Sequence, residues 1–544
     1  MKIWIGYPPL PDPKGVPLIS QNRQFQWFND PTFVYPVIPA YAATLLKRAG
    51  HDVMWEDGIA QRDSVEAYEQ RFVDAAPDLV AFEVKTPVVK RVWKIIDRMK
   101  SLRPQAKFVL MGDHITAMPE ESLIESDVDF CLAGGDFDFA LLSLASHLGG
   151  GDKLEQGVYF WRDAAARDEA RRQLRGRSME KETWEKAQSA RDLGVPSVDG
   201  IVCTGAFGPL KHDLTGLPMI DRELSKWKLY AYDNGNFKYL PGTYTMVGRD
   251  CWWGRCTFCS WTTTFTNFRS QTPKQLLVEV EHLVALGVRE IFDDSGTFPA
   301  GKWLREFCTG MVERGLHKKV VMGCNMIPGV LDQEHYDLMG KANFRFVLYG
   351  LESATQSTLD RIQKLGRADR LEESMRRAKK AGLEPHVTCM VGYPWESEEE
   401  ALRTINRTKS LFQKGCIDTL QATVVMPYPG TPLFAECKRN GWLRTEDWDE
   451  YDMRVPIMKC PMSDQRLLEI TQGIYTSFLT PKYVARKLAS IRSWDDVKFW
   501  TRAGLKVLGH LKDFNFLGIG NKQREKAKQQ AGGDCGCRQG NSRG

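Results

Sequence analysis

The sequence lacks any long hydrophobic run: no stretch of eighteen apolar residues occurs among its 544 residues, so no membrane-spanning helix is predicted. A secretory signal peptide is not predicted either. The apolar stretch in the N-terminal segment MKIWIGYPPLPDPKG is too short for one and continues directly into strand-like sequence. We therefore expect a cytoplasmic protein.

A secreted disulfide framework is also absent. The thirteen cysteines are scattered over a long chain, which favours free thiols and metal ligands over disulfide bonds. Basic charge is scarce outside the C-terminal end. Residues 482–544 contain fourteen Lys and Arg against five Asp and Glu, while the rest contains 60 basic and 64 acidic residues. Nucleic-acid binding by the whole protein is therefore not supported.

A chain of this length is too long for one hydrophobic core, so several domains are expected. Over residues 1–150, strand-like runs such as KIWIGYPP, PDLVAFEVKT and KFVLMGDH alternate with amphipathic stretches. This alternation predicts an α/β domain with a doubly wound parallel sheet and a ligand crevice at the carboxyl ends of the strands. Residues 151–242 are expected to form a charged connector, in which 161–192 reads as a solvated helix.

The alternation resumes over residues 243–435. Six strand-like segments are separated by helical stretches, and they read YTMVG, REIFDDSG, KVVMGCN, RFVLYGLES, PHVTCMVGYP and TLQATVVMPYPG. Six βα repeats predict a six-stranded, partly closed barrel whose working face lies at the carboxyl ends of its strands.

Three cysteines occur within nine residues just after the first of these strands, in the segment RDCWWGRCTFCSW. A structural zinc site would need a fourth Cys or His at ligand spacing, but the next cysteine, Cys308, lies far along the chain in a helix-like run. Three thiolates from Cys251, Cys256 and Cys259 would instead hold three irons of a [4Fe–4S] cluster. The fourth iron would then remain open to a substrate or cofactor.

This segment resembles the cluster loop of the radical S-adenosylmethionine (SAM) superfamily. The common spacing there is C-x3-C-x2-C, whereas this chain has C-x4-C-x2-C. The resemblance implies that SAM binds the open iron and is cleaved to a 5′-deoxyadenosyl radical by an electron from an external flavodoxin- or ferredoxin-type donor. It also implies a SAM contact from the cysteine loop, at Phe258, and further contacts from the strand ends, at Asp293, Asp294, Glu352, Ser353 and Gly392.

The first 150 residues are similar to the cobalamin-binding domain of one subclass of that superfamily. Matching segments are GYPP, YPVIPAYAATLLKRAGHDV, PDLVAFEVKT and GDHITAMPEE. The resemblance implies cobalamin contacts at Pro8, Glu83, Thr86, His114, Gly134 and Gly135. The two glycines would let the backbone approach a flat macrocycle.

This region departs from the subclass in some places. AGGDFD stands where the subclass often has a G-E-G-E-like segment, and no D-x-H-x-x-G motif is present, which argues against a His-ligated cobalamin. A histidine that hydrogen-bonds a loop backbone is the favoured interpretation of His114. Retention of cobalamin and loss of it both stay open.

Residues 436–520 are expected to form a helical region that helps to line the substrate pocket. Within it, 494–520 has a basic amphipathic pattern that fits a helix packed on the barrel or a helix on an anionic membrane surface. Residues 521–544 read as a disordered tail with a Cys535/Cys537 pair of unassigned role.

The leading hypothesis is a cobalamin-dependent radical SAM methyltransferase that acts on an unactivated carbon of a small-molecule or lipid- or terpenoid-like substrate. The alternative is a radical SAM oxidoreductase, cyclase or rearrangement enzyme in which cobalamin is not a methyl donor or is absent. A third hypothesis, a cofactor sensor without turnover, is the least favoured.

Overall fold

A computed structural model describes residues 1–19, 25–29, 31–151, 154–176, 191–475, 480–502 and 504. Its contact pattern divides the chain into two compact units, Met1–Ala485 and Arg486–Gly544. The first unit contains both large sheets. No helix in the described ranges is long and apolar enough to cross a membrane.

The first large sheet has seven strands, in the order β4-β1-β5-β6-β7-β8-β9. Strands up to β7 pair in parallel, and β8 and β9 add antiparallel pairs. The first nine strands are β1 (Lys2–Tyr7), β2 (Val16–Pro17), β3 (Trp27–Phe28), β4 (Asp52–Asp57), β5 (Leu79–Glu83), β6 (Lys107–Met111), β7 (Phe130–Leu132), β8 (Val158–Trp161) and β9 (Ile201–Cys203). Strands β2 and β3 form a separate antiparallel pair. The parallel α/β layout is confirmed, and the segment expected as a connector supplies two further strands.

Seven helices in the described part of 1–176 accompany this sheet: α1 (Val37–Arg48), α2 (Val65–Ala75), α3 (Val89–Leu102), α4 (Asp113–Ala117), α5 (Pro119–Glu125), α6 (Phe137–Leu148) and α7 (Ala164–Leu174). Helix α7 begins where the Asp163 side chain accepts a hydrogen bond from Ala166 N, and Ala170 alone of its residues is buried. It is thus a solvated helix, as its composition predicts. The rest of the predicted helix, 177–190, lies outside the described residues.

The second large sheet has six parallel strands in the order β10-β13-β14-β15-β16-β17. The remaining strands are β10 (Gly242–Thr245), β11 (Gly248–Arg249), β12 (Arg269–Ser270), β13 (Glu290–Asp293), β14 (Val321–Met326), β15 (Phe344–Glu352), β16 (Glu384–Val391) and β17 (Thr419–Val424). The short strands β11 and β12 pair with each other. All six predicted barrel strands are present, in sequential order, as a partial (β/α) barrel requires.

The helices that accompany and follow this sheet are α8 (Trp261–Thr264), α9 (Pro273–Ala285), α10 (Lys302–Glu313), α11 (Gln333–Lys341), α12 (Gln356–Arg361), α13 (Leu371–Lys380), α14 (Glu398–Gln413), α15 (Pro432–Arg439), α16 (Asp464–Gln472) and α17 (Pro481–Ala489). Helices α9 and α14 begin with complete capping boxes, Thr272 with Gln275 and Ser397 with Glu400. Cys308 is buried in α10, which agrees with its exclusion as a cluster ligand.

One buried apolar cluster includes residues of both sheets, such as Ile3 and Leu79 in the first and Ile291 and Val347 in the second. The two sheets of the first unit therefore share a hydrophobic core.

In the second unit, residues 494–502 are helical and Trp494 is largely exposed. The predicted amphipathic helix continues from there into 505–520, and this part, like the predicted tail at 521–544 with Cys535 and Cys537, lies outside the described residues.

Candidate active site

The three-cysteine loop joins β11 to α8, beside the carboxyl end of β10. Cys251, Cys256 and Cys259 are all partly exposed, whereas six other described cysteines are buried. Partial exposure on one short loop is what a ligand set for a shared inorganic cluster needs. The local geometry therefore fits a [4Fe–4S] cluster.

The surroundings of these thiols also fit that use. Cys251 Sγ lies 3.1 Å from Thr297 Oγ1, and burial raises the pKa of Cys256 to about 11 although the Lys364 ammonium opposes the shift. In the described ranges, no three His, Cys, Asp or Glu side chains lie close enough together to bind a single metal ion.

Asp293 and Asp294 end β13, but the structure gives them different tasks. The carboxylate of Asp293 is fully buried and accepts hydrogen bonds from Thr245 Oγ1 (2.8 Å), Val247 N (3.0 Å) and Ser295 Oγ (2.5 Å). Asp293 thus holds the chain that leads into the cysteine loop. Its oxygens are occupied by these partners, which differs from the expected contact with the SAM ammonium. Asp294 is only half-buried and stays a SAM-binding proposal.

Glu352 and Ser353 follow β15 and also differ from the expectation. Glu352 is paired with the Lys364 ammonium, at 2.8 Å from Oε1 to Nζ. Ser353 is fully buried, and its hydroxyl accepts a hydrogen bond from Thr355 N at 3.1 Å. In this structure, both side chains have partners within the protein.

Gly392 begins the turn after β16 with φ of +93°, a conformation that favours glycine. Its N–H donates to Glu396 Oε2 at 2.7 Å. Glu396 is fully buried, and the loss of hydration raises the pKa of its carboxyl to about 7, although backbone hydrogen bonds from Gly392 and Tyr393 oppose the shift. The turn is thus built around one buried carboxyl group.

Several buried polar atoms near this turn have no hydrogen-bond partner in the described part of the chain. They are Tyr393 Oη, Trp395 Nε1, Glu396 Oε1 and Thr423 Oγ1. Phe258 of the cysteine loop packs against the same apolar cluster, which includes Tyr393. Buried polar atoms are costly unless something binds them. A ligand with polar groups, such as SAM, fits this end of the barrel beside the cysteines.

The carboxyl edge of the first sheet is better satisfied. Tyr7 Oη donates to Glu83, and Pro8 is buried next to it. His114 is 1% exposed, and its Nδ1 lies 3.1 Å from Thr86 Oγ1. Its ring is flanked by two tryptophans, Trp93 and Trp448. The imidazole is therefore enclosed, and its contact is with the Thr86 side chain rather than with the loop backbone that was expected. His114 Nε2 has no hydrogen-bond partner in the described part of the chain.

Gly134 and Gly135 have no side chain, and in this structure two phenylalanine rings lie close to their backbone. A Cβ at Gly135 would lie 2.1 Å from the Phe265 ring, and one at Gly134 would lie 3.0 Å from Phe207. A flat macrocycle could reach these glycines only after the rings had moved. In this structure the rings of Phe265 and Phe207 therefore cover the two glycines.

The two carboxyl edges meet at the cysteine loop. Gly135 N donates to Thr264 O at 2.8 Å, and Ser260 Oγ lies 3.4 Å from Asp113 Oδ2. The buried Arg249 guanidinium, two residues before Cys251, donates to both oxygens of Asp138 at 2.9 and 2.7 Å. These contacts fix the loop between the two sheets.

Arg249 also belongs to a group of acidic and basic side chains around the buried Asp136, called here the acid–base cluster. Asp136 accepts from Arg249 at 3.1 Å and from Arg269 at 2.5 Å, and His212 Nδ1 lies 2.8 Å from it. Burial opposes protonation of His212, but the hydrogen bonds that its ring donates to the carboxylates of Asp136 and Glu155 raise its pKa to about 9. This acid–base cluster borders a cleft of about 220 Å³, which Phe207 and Pro209 also line.

Four residues near the site were not predicted from the sequence: Tyr393, Trp395, Glu396 and Lys364. The first three lie inside the segment CMVGYPWESEEE, so that segment already contained a signal for them. Lys364 stands in no motif, and the fold alone brings it to Glu352.

Comparison with known proteins supports both halves of this arrangement. The Radical SAM superfamily profile matches residues 246–408, and the B12 binding domain profile matches residues 31–137. An anaerobic magnesium-protoporphyrin IX monomethyl ester cyclase of Cereibacter sphaeroides is 26% identical over 89% of this chain and 72% of its own. An uncharacterized methyltransferase of Pyrococcus horikoshii is 24% identical over 83% of this chain and 90% of its own.

Among solved structures, the radical S-adenosylmethionine methyltransferase TsrM of Kitasatospora setae, with tryptophan and a SAM analogue bound, matches with a TM-score of 0.61 and 15% identity. The match covers 88% of this chain and 89% of that one, and it supports the fold. The chain thus combines a B12-binding domain with a radical SAM domain. It belongs to the cobalamin-binding subclass of the radical SAM superfamily, whose cofactors are a [4Fe–4S] cluster, SAM and cobalamin.

Proposed function

We propose that this protein is a cobalamin-dependent radical SAM methyltransferase that acts on an unactivated carbon of a small molecule. One observation carries the proposal: the carboxyl edges of the B12-binding sheet and of the radical SAM sheet meet at the cysteine loop, through Gly135 with Thr264 and Asp113 with Ser260. Ligands bound at the two edges therefore face a common space.

The protein's own residues position and shield the chemistry in this proposal. Cys251, Cys256 and Cys259 hold the cluster, Phe258 and the Gly392 turn form one wall of the SAM site, and Asp294 faces its polar end. When bound, SAM supplies the radical and cobalamin supplies the methyl group. The buried contacts of Arg249 with Asp138 keep the loop in place and exclude water from its inner side.

The substrate class follows from the relatives only as a proposal. The cyclase relative is named for a magnesium-protoporphyrin ester, so a tetrapyrrole-type molecule is the first substrate to test. The lipid- or terpenoid-like substrate predicted from the sequence depended on a membrane-associated C-terminal helix that lies mostly outside the described residues. It is the second substrate class to test.

The test uses the full chain, reconstituted under anaerobic conditions with iron, sulfide and cobalamin. It is supplied with a reductant, SAM labelled with deuterium in its methyl group, and magnesium-protoporphyrin IX monomethyl ester as the probe. We expect a probe mass raised by one labelled methyl group, together with S-adenosylhomocysteine and 5′-deoxyadenosine. 5′-Deoxyadenosine without S-adenosylhomocysteine would exclude the methyltransferase.

A second candidate function is an oxidative cyclase, which the relative matched over 89% of this chain favours. The same assay separates the two candidates. A cyclase would change the probe without adding labelled methyl and without forming S-adenosylhomocysteine.

A further inference from the structure

A short segment after α12 packs directly on the cysteine loop. Thr257 N donates to Ile362 O at 3.0 Å, and Trp253 Nε1 donates to Gln363 O at 2.7 Å. Cys256 Sγ lies 4.0 Å from the same Gln363 oxygen. The residue that follows, Lys364, is therefore held in a fixed position relative to the loop.

Lys364 carries a charge that is largely withdrawn from solvent. Its side chain is 14% exposed, and its ammonium lies 2.8 Å from Glu352 Oε1. Gly350 leaves room for this ion pair, because a Cβ there would lie 2.1 Å from Glu352 Oε1 and 2.8 Å from Lys364 Nζ. The ion pair thus lies over the carboxyl end of β15, where a side chain at position 350 would collide with it.

The lysine is protonated despite its burial. Burial lowers the pKa of Lys364, but the charge of Glu352 and its hydrogen bond raise it above the ordinary value. The carbonyl oxygen of the preceding residue, Gln363, contacts Cys256 Sγ. The ion pair of Lys364 and Glu352 therefore lies beside the loop that holds the three cysteines.

We propose that Lys364 and Glu352 form a charge pair that sets the reduction potential of the cluster held by the three cysteines, with Lys364 raising it and Glu352 lowering it. This rests on the cluster assignment and on no particular outcome for the substrate. Cluster potentials depend on net charge and on solvent exposure around the sulfurs. A charge in a poorly solvated position acts more strongly than the same charge at the surface.

The redox step is a simple one. A single electron from an external low-potential reductant takes the cluster from its oxidised to its reduced state, no bond forms or breaks, and no proton is transferred. The reduced cluster has one more negative charge, so a nearby ammonium stabilises it and a nearby carboxylate destabilises it. Lys364 is a positioning residue here, since it acts through the cluster ligands.

The test is a potentiometric titration of the reconstituted full-length protein without substrate, in which the reduced cluster is followed by its electron paramagnetic resonance signal. We expect Lys364→Met to shift the midpoint potential to a more negative value and Glu352→Gln to shift it to a more positive value. The double variant should lie between the two. Arg367→Gln, which removes an exposed guanidinium paired with Asp369, is the matched control and should leave the potential unchanged.

Lys364→Arg separates charge from shape, because it keeps the charge and should keep most of the wild-type potential. The proposal is overturned if Lys364→Met leaves the potential unchanged, if Lys364→Met and Glu352→Gln shift it in the same direction, or if Lys364→Arg shifts it as far as Lys364→Met does. The potential is read without methyl transfer, so a protein that proved to be a cyclase would leave this test intact.

Discussion

The two carboxyl edges that meet at the cysteine loop differ in how completely their polar groups are satisfied. At the barrel edge, Tyr393, Trp395 and Glu396 each keep a buried polar atom without a partner in the described residues. At the first edge, Glu83 is paired with Tyr7 and Asp136 is bound by two arginines, and among the site residues predicted there only His114, at Nε2, has such an atom in the described part of the chain. The barrel edge thus has the features of a ligand site before the ligand binds, whereas the first edge is held closed by its own side chains.

The two sheet edges of one fold can therefore be prepared for a cofactor in two different ways. A site with unpaired polar atoms gains hydrogen bonds when a ligand enters. A site whose glycines are covered by Phe207 and Phe265 must first open. The predictions below test each edge in turn.

The largest effect is expected at the barrel edge from Cys256→Ala. Removal of one thiolate leaves an iron without its protein ligand, so we expect loss of the cluster and of SAM cleavage. Iron and sulfide per chain, together with 5′-deoxyadenosine formation, measure this. Cys203→Ala, which alters a partly exposed cysteine of β9, should keep both. A full cluster in Cys256→Ala would mean that the ligand assignment is wrong.

At the junction of the edges, Arg249→Met should have the next largest effect. The guanidinium is 1% exposed and pairs with Asp136 and Asp138. Asp136 keeps its pair with Arg269 when Arg249 is removed, but the buried carboxylate of Asp138 loses its cation. We expect unfolding of the apoprotein to become easier by about 3–5 kcal/mol. Calorimetry measures the change. In the control Arg305→Met, an exposed pair with Glu334 is lost, at a cost of less than about 1 kcal/mol.

The sequence predicted most of the barrel and much less of the junction. The six barrel strands are short apolar runs bounded by turns, and three cysteines in nine residues indicate a cluster by their spacing alone. The pairing of Arg249 with Asp138 links residues 111 positions apart, and no local pattern encodes it. Strands β8 and β9 were not predicted from the sequence for a similar reason. They lie in a charged segment, and they form strands by pairing with the first sheet.

The sequence also could not predict whether the carboxylates of Asp293 and Glu352 are free to bind SAM. An acidic residue at the end of a barrel strand matches the expected SAM contact. Whether its oxygens are free depends on neighbours such as Thr245 and Lys364, which the fold brings close and the motif does not contain.

Glu396→Gln sharpens the comparison through pH. In the native protein, burial raises the pKa of Glu396 from 4.5 to about 7, so the folded state holds a proton that the unfolded chain has released. The stability from this group is complete below pH 4.5 and is lost as the pH rises to about 7, by up to about 3 kcal/mol.

Unfolding measured across that range should show a smaller decline in Glu396→Gln than in the wild type. Glu399→Gln changes an exposed carboxylate of α14 and should decline as the wild type does. A Glu396→Gln profile parallel to that of the wild type would show that this carboxyl is ionised at acidic pH.

His212→Gln gives the smallest expected effect, at the first edge and in a different pH range. The pKa of His212 is raised from 6.5 to about 9 by Asp136 and Glu155, so this group stabilises the folded state fully below pH 6.5. The stabilisation is lost as the pH rises through about 9. The ring is partly exposed, and solvent screening reduces the effect to about 1–2 kcal/mol.

His212→Gln should therefore remove an alkaline decline in stability that the wild type and the control His317→Gln retain, since the His317 ring lies near a backbone carbonyl rather than a carboxylate. The barrel edge would then respond below neutral pH and the first edge above it, because a buried carboxyl group and an ion-paired imidazole release their protons in different ranges. Coincident pH profiles for Glu396→Gln and His212→Gln would contradict the view that the two edges are built on separate polar networks.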